Sequence, residues 1–279
     1  MGTAPETQPA ENTVPWVVFQ IKDTYYCVNS GEIATILRLP EYQPLPAAPD
    51  YMTGIFLYRD DVIQLLDLRT VFGLPTQTRE YDDFAAMLDQ RKQDHVNWVT
   101  ALEHSIQTNE PFTLATDPHQ CAFGRWYDSY TAESESVRGH LARIDDPHQR
   151  LHHAAEEAAA CKQECDQCKR EVCLKEVLRR TKEQYMPLIL QLLDEAKGIF
   201  REQVFREMVL VLNDGSRLGL VVDKVISVEH LDPMSGEAAG EGGLGSVRYL
   251  TDIRKSPKIS SAILELDVER LLESLGAAQ

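Results

Sequence analysis

The chain has 279 residues, 43% of them hydrophobic, which is enough for about two globular domains. Acidic side chains number 44 against 28 basic ones, a formal net charge of -16. Such a surface repels nucleic acid and anionic lipid, so DNA-, RNA- and membrane-surface-binding roles are set aside. No apolar run reaches the roughly 18 residues of a spanning helix, and the N-terminus lacks the basic start and apolar stretch of a signal peptide. These features place the chain in the cytoplasm. There its six cysteines are expected to be reduced, serving metal or redox chemistry rather than structural disulfides.

Residues 1–14 are polar and proline-bearing and read as a disordered tail. From Trp16 the texture changes: Val17, Phe19 and Ile21 alternate with the period of a half-buried strand. Lys22-Asp23-Thr24 turns the chain into a second strand over Tyr25–Val28. Further short strands are expected over Ile33–Leu39, Gly54–Tyr58 and Val62–Leu66, punctuated by Pro40, Pro44, Pro46 and Pro49. Short strands at this spacing predict a small barrel.

Near Tyr81 the pattern becomes helical. Residues 81–107 hold no Gly or Pro, and Phe84, Leu88, Trp98, Leu102 and Ile106 recur at helical spacing. After a looser segment over 109–131, Val137, Leu141 and Ile144 resume the helical pattern. Asp146-Pro147 then reads as an N-cap with proline in the first helical position. One long helical stretch is expected from there to about Gln203, kinked or divided at Pro187. Beyond Glu207 the β texture returns: a strand over Met208–Leu212, the turn Asn213-Asp214-Gly215, a β-rich run over Leu218–Val228, a Gly-rich loop over 234–245, and a strand Ala262–Leu266 leading into a short helix. Neither β part suffices alone. The reading is a tail (1–14), the first half of a β domain (15–80), an all-α insert (81–205) and the second half of the β domain (206–279).

The β parts resemble the CheW family. The first half carries Pro46 and Pro49 bracketing a loop, Gly54 before a strand, Arg59 in a turn, then Asp67-Leu68-Arg69 and Phe72-Gly73-Leu74. The second half carries Gly219-Leu220-Val221-Val222-Asp223 and a closing run over 263–275. Where the family has Arg-Gly, this chain has Arg59-Asp60. The resemblance implies an α+β multidomain protein: a pair of small SH3-like β-barrels interrupted by the helical insert. It also implies a non-enzymatic scaffold that bridges the cytoplasmic tip of chemoreceptors to the histidine kinase CheA.

The insert resembles the chemoreceptor zinc-binding (CZB) domain. The matching residues are His95 with Trp98, the core Cys121-Ala122-Phe123-Gly124-Arg125-Trp126, and the pair His148 and His152. The resemblance implies a four-helix bundle, a zinc cofactor, homodimerisation through the helices, and sensing of zinc or of oxidants such as hypochlorous acid. The chemistry agrees: zinc takes imidazole nitrogen and thiolate sulfur in a tetrahedron, and two histidines four residues apart share one helix face. His95, Cys121, His148 and His152 are therefore the expected ligands. Four protein donors leave no open position, and Gln149 stands where a metalloprotease helix carries its basic Glu. Other readings are a scaffold whose zinc is structural, a zinc metalloenzyme, and a redox protein built on Cys161, Cys165, Cys168 and Cys173. The first three of those cysteines fall on one face if the helix is continuous, which favours packing or a dimer face over a metal cluster. Cys27, within a strand, reads as core. His104, His119, His140, His153 and His230 read as solvated or supporting residues.

Overall fold

The computed structural model describes residues 14–131, 134–234 and 249–276. The expected tail and the Gly-rich loop lie almost wholly outside them. In chain order the first elements are β1 (Trp16–Ile21), β2 (Thr24–Asn29), β3 (Ile33–Arg38), β4 (Met52–Tyr58), β5 (Asp61–Asp67) and α1 (Leu68–Val71). The helical run follows: α2 (Gln77–Thr108), α3 (Ala122–Ser129), α4 (Glu135–Leu141), α5 (Asp145–Lys162), α6 (Gln167–Arg180) and α7 (Met186–Val204). The chain then returns to β6 (Met208–Leu212), β7 (Leu218–Val222), β8 (Lys224–Glu229), β9 (Asp232–Pro233), β10 (Leu250–Ser256), β11 (Ile259–Leu266) and α8 (Val268–Ser274). Two compact units result. One holds the residues up to Thr76 and those from Arg206 onward; the other is Gln77–Phe205. The protein is mixed α+β.

The β unit contains two sheets, ordered β8-β1-β2-β11-β10-β9 and β3-β6-β7-β5-β4. Both draw strands from before and after the helical run, so neither half of the sequence can complete a sheet. The parallel pairs β5–β7 and β2–β11 join the two halves directly. Each sheet buries both faces. Alternate residues of β1, β5, β6 and β7 (Val17, Phe19, Leu66, Leu210, Leu220) enter a core shared between the sheets. The intervening residues Ile63, Leu65, Val209, Val211 and Val221 enter a second core, and Val18, Cys27 and Ile263 a third. A strand buried on two faces reads as a continuous apolar run, as β7 does. The run expected over Leu218–Val228 is two strands, broken at Asp223.

Asp223 breaks that run because its carboxylate is engaged. It receives Arg69 Nε and an Arg69 terminal nitrogen at 2.7 Å each, and the Lys22 backbone N–H at 2.7 Å. Arg69 is held in turn: Asp67 caps α1 by accepting the Arg69 N–H and the Thr70 hydroxyl. The Arg69 and Asp223 side chains are only 8% and 15% exposed, so this fork-to-carboxylate pair is largely desolvated. In the β4–β5 turn the left-handed residue is Arg59 (φ 55°), which lies against the Tyr58 ring; Asp60 needs no glycine conformation.

In the helical unit α2 packs on α7, α5 on α6 and α7, and α4 on α7. Tyr81 and Phe205 meet, so the unit begins and ends at the same end of the bundle. Two expectations need correction. Asp146 does not cap α5, because that helix continues from α4 through a 3-10 turn at Ala142–Ile144 and starts at Asp145. The long helix is interrupted at 163–166 and restarts as α6, where the Asp166 carboxylate caps the Lys169 N–H. The stretch does divide at Pro187: a π-helical segment, Thr181–Tyr185, follows α6, and α7 starts at Met186 with the proline in its first turn, where a missing N–H leaves no bond unmade.

Two measurements follow from the β unit. Asp223→Ala removes the carboxylate gripped by the buried Arg69 guanidinium and is expected to cost about 3–5 kcal/mol in urea unfolding; a loss below about 1 kcal/mol, the range of an exposed pair, contradicts the reading. Glu207 lies near Asp67 and Asp223, and burial together with these two charges pushes its carboxyl up to about 7. A raised folded-state value favours the protonated fold, so its contribution is present at low pH and lost as pH rises through about 7. Glu207→Gln should therefore raise the melting temperature at pH 8, with the gain shrinking towards pH 5. A gain that is equal at both pH values contradicts it.

Candidate metal centre

The buried stripe of α2 runs Phe84, Leu88, His95, Trp98, Val99, Leu102. His95 occupies a place in that stripe where an apolar residue would ordinarily sit. On α5 the stripe runs His148, Leu151, His152, Ala155, Ala158. Helical periodicity thus carries three imidazoles into the bundle core, where they are 3%, 4% and 0% exposed. Cys121 arrives differently. A 3-10 turn at Pro118–Gln120 delivers it as the N-cap of α3, where its sulfur accepts the Gly124 N–H at 3.2 Å. Gly124 is obligatory there, since a Cβ would lie 1.9 Å from the Pro118 carbonyl oxygen.

The structure brings His95, Cys121, His148 and His152 together, with one donor atom from each lying within 4.8 Å of all the others. The orientation of two rings is set from the far side. His95 Nδ1 lies 2.7 Å from the Arg91 carbonyl and His152 Nδ1 lies 3.1 Å from the Ala115 carbonyl. A carbonyl only accepts, so Nδ1 carries the proton in each ring and Nε2 keeps its lone pair. Both Nε2 atoms are buried without a hydrogen-bond partner. His148 Nε2 lies 3.3 Å from the Cys121 sulfur. Burying unpaired polar atoms is costly, and an inward ring of lone pairs is what a soft-to-borderline cation requires. The residues present therefore fit a metal ion of the zinc type.

Electrostatics point the same way. Burial, then repulsion from neighbouring imidazoles, holds His148 down at about 2 and His152 at about 4. Burial likewise lowers His95. All three rings are neutral at pH 7 and free to bind a cation. Burial raises the Cys121 thiol despite the Gly124 N–H, which favours the thiolate. Its ionisation thus awaits a positive charge.

Aromatic rings close the site. Phe123 packs edge-on against His95 and His148, and Trp98 lies 4.8 Å from His152 while its indole N–H donates to the Ala115 carbonyl. Trp98 and Phe123 are core. The Arg91 and Ala115 carbonyls escaped the sequence reading, because main-chain groups carry no residue-type signal. Among the other histidines, His104, His119 and His153 are exposed and face carboxylates. His140 is buried and bonds the Leu192 carbonyl on α7, a packing role rather than a solvated one. Cys27 is core, and burial pushes its thiol up to about 12. The second cysteine run departs from expectation: Cys161 on α5 is bonded to Cys173 on α6, while Cys165 and Cys168 are free and exposed. The interruption at 163–166 folds α6 back on α5, so these residues never share a helix face.

The site predicts a proton count. With three neutral imidazoles and a protonated thiol, zinc binding at pH 7 should release about one proton per ion. Titration calorimetry in buffers of different ionisation enthalpy measures it. Release near zero, or of two or more, contradicts this assignment of protonation states.

Two family models match the chain: the CheW-like domain over residues 15–110 and the chemoreceptor zinc-binding domain over residues 95–159. The second match starts at His95 and ends within α5. A chemotaxis protein CheW of Treponema pallidum (strain Nichols) is 31% identical over 67 residues, covering 24% of this chain and 39% of that protein. Another, of Helicobacter pylori (strain ATCC 700392 / 26695), is 25% identical over 100 residues, covering 36% of this chain and 61% of that protein. The aligned residues thus span less than two thirds of either relative. The crystal structure of scaffolding protein TtCheW from Thermoanaerobacter tengcongensis aligns over 94% of this chain and 93% of that one, at 10% identity and a TM-score of 0.37. Among the described residues no helix is long and apolar enough to cross a membrane. The chain accordingly carries a CheW-like domain and a chemoreceptor zinc-binding domain, over the residues those two models match.

Proposed function

We propose that this protein is a non-enzymatic scaffold that couples chemoreceptors to the histidine kinase CheA, and that its helical unit binds one zinc ion through His95, Cys121, His148 and His152. The observation that carries the zinc assignment is the pair of buried, partnerless Nε2 atoms on His95 and His152, facing Cys121 and His148. Four protein donors fill a tetrahedral shell and leave no place for a reactive water, which separates this centre from a hydrolytic one. Zinc, when bound, supplies the positive charge that keeps Cys121 a thiolate, the form that oxidants attack.

The four donors sit on three helices: α2, the N-terminus of α3, and α5. Changing the state of Cys121 therefore changes what holds these helices together. The helical unit then reports zinc or oxidant, of the hypochlorous acid type, by altering how the β unit engages receptor and kinase. Self-association of the helical unit belongs to the same reading.

Elemental analysis of the purified chain should give about one zinc per chain, with Cys121→Ala and His152→Ala reduced at least severalfold. Receptor-stimulated CheA activity, reconstituted with this protein, should differ between zinc-loaded and chelator-treated samples, and the difference should vanish in Cys121→Ala. Absence of zinc after reconstitution overturns the metal assignment. Zinc with unchanged kinase coupling leaves a structural ion and overturns sensing. No response of CheA or receptor to the protein at all overturns the scaffold role.

A further inference from the structure

The second cysteine cluster is separate from the four-donor centre. Cys161 lies in the last turn of α5, 5% exposed and part of the bundle core. Its bonded partner Cys173 lies on α6 and is exposed. Their Cα atoms are 5.8 Å apart, within the range a disulfide spans without backbone movement. Cys165, in the intervening turn, and Cys168, in the first turn of α6, are exposed thiols.

What else holds this hairpin tip is slight. No residue of α6 before Val177 is buried, and only Leu174 packs partly on the core. The polar ties are Arg170 to the Glu164 carbonyl and, further down, Arg180 to Glu157. The other end of the contact is fixed: Lys162 donates to the Ser105 and Glu110 carbonyls at the close of α2. Among the described residues the disulfide is therefore the covalent tie between α6 and a firmly anchored residue of the core. Its outer sulfur belongs to an exposed residue, which is the situation of an exchangeable disulfide rather than a sealed one.

We propose that Cys161–Cys173 is a second redox-modification site, a reversible disulfide that locks the α5–α6 hairpin tip and is opened by a protein dithiol. A thiolate of the donor attacks the Cys173 sulfur, the Cys161–Cys173 bond breaks, and Cys161 leaves as a thiolate and takes up a proton. The donor's second thiolate then attacks its own sulfur in the mixed disulfide. Cys173 is released and protonated, and the donor departs as a disulfide. The chain gains two electrons and two protons in all. A peroxide reverses this, since two thiols and one hydrogen peroxide give the disulfide and two waters. Opening frees residues 163–176, which have little apolar packing of their own.

The test uses the full zinc-loaded chain, kept oxidised, treated with millimolar dithiothreitol, or treated and then returned with hydrogen peroxide. Each sample is denatured with chelator and iodoacetamide and weighed. The oxidised chain should take label on four cysteines (Cys27, Cys121, Cys165, Cys168) and yield a linked 161–173 peptide. The reduced chain should take label on all six. Amide exchange over 163–176 should quicken about tenfold on reduction and slow again with peroxide. Cys161→Ser should exchange fast in all three states. The same cycle in Cys121→Ser excludes oxidation at the four-donor centre as the cause. Six labelled cysteines in the oxidised chain, a disulfide that dithiothreitol opens only after denaturation, or amide exchange indifferent to reduction each overturns the proposal.

Discussion

The ion pair between Arg69 and Asp223 joins residues 154 positions apart. It ties together two distant stretches of chain that the sheets already pair. Arg69 belongs to the turn of chain after β5, and Asp223 to the break between β7 and β8. Those two regions are already brought alongside by the parallel β5–β7 ladder. The pair fixes the register of that meeting, because a guanidinium fork accepts its carboxylate in few orientations. The Lys22 N–H on the same carboxylate extends the tie to the β1–β2 hairpin and so to the other sheet. Loss of this contact would remove the carboxylate that ties three segments together.

The helical unit solves a different problem. Its core admits three imidazoles to positions that helical periodicity makes apolar, with the Cys121 thiol brought in from the N-cap of α3. Each carries a desolvation cost, visible in the depressed histidines and the raised cysteine. The chain offsets part of it with carbonyls from Arg91 and Ala115, which hold two of the rings in one tautomer. What remains unsatisfied faces one common point. A core arranged in this way is least favourable empty and most favourable around a cation. On the proposed zinc reading, folding of the bundle and occupancy of the site are linked.

Most of the site was legible in sequence. An i, i+4 histidine pair, a histidine on the stripe of a long helix, and a Cys-x-x-Gly segment are all local patterns, and a helix turns local spacing into a shared face. The same locality misled elsewhere. A helical pattern over 146–203 gives no sign of reversal, because the turn at 163–166 is polar and carries neither Gly nor Pro. Asp166 was the available signal, as a capping carboxylate within a charged stretch. Pro187 is the opposite case: it stands in the first turn of α7, just beyond a π-helical segment, where proline's missing N–H is no loss.

By itself the sequence determined the kind of protein: two β halves around a helical insert, three histidines at helical spacing with a cysteine in a Cys-x-x-Gly segment, and an acidic surface. Periodicity, turn chemistry and donor type are properties of neighbouring residues, so a single chain displays them. Tertiary structure alone decided which strands pair across the insert, which carbonyls orient His95 and His152, and that Cys161 meets Cys173 across a reversed helix instead of stacking with Cys165. Each of those depends on contacts between residues distant in sequence or on main-chain groups. Neither leaves a mark in residue order, because the free energy that selects them exists only once the core has closed.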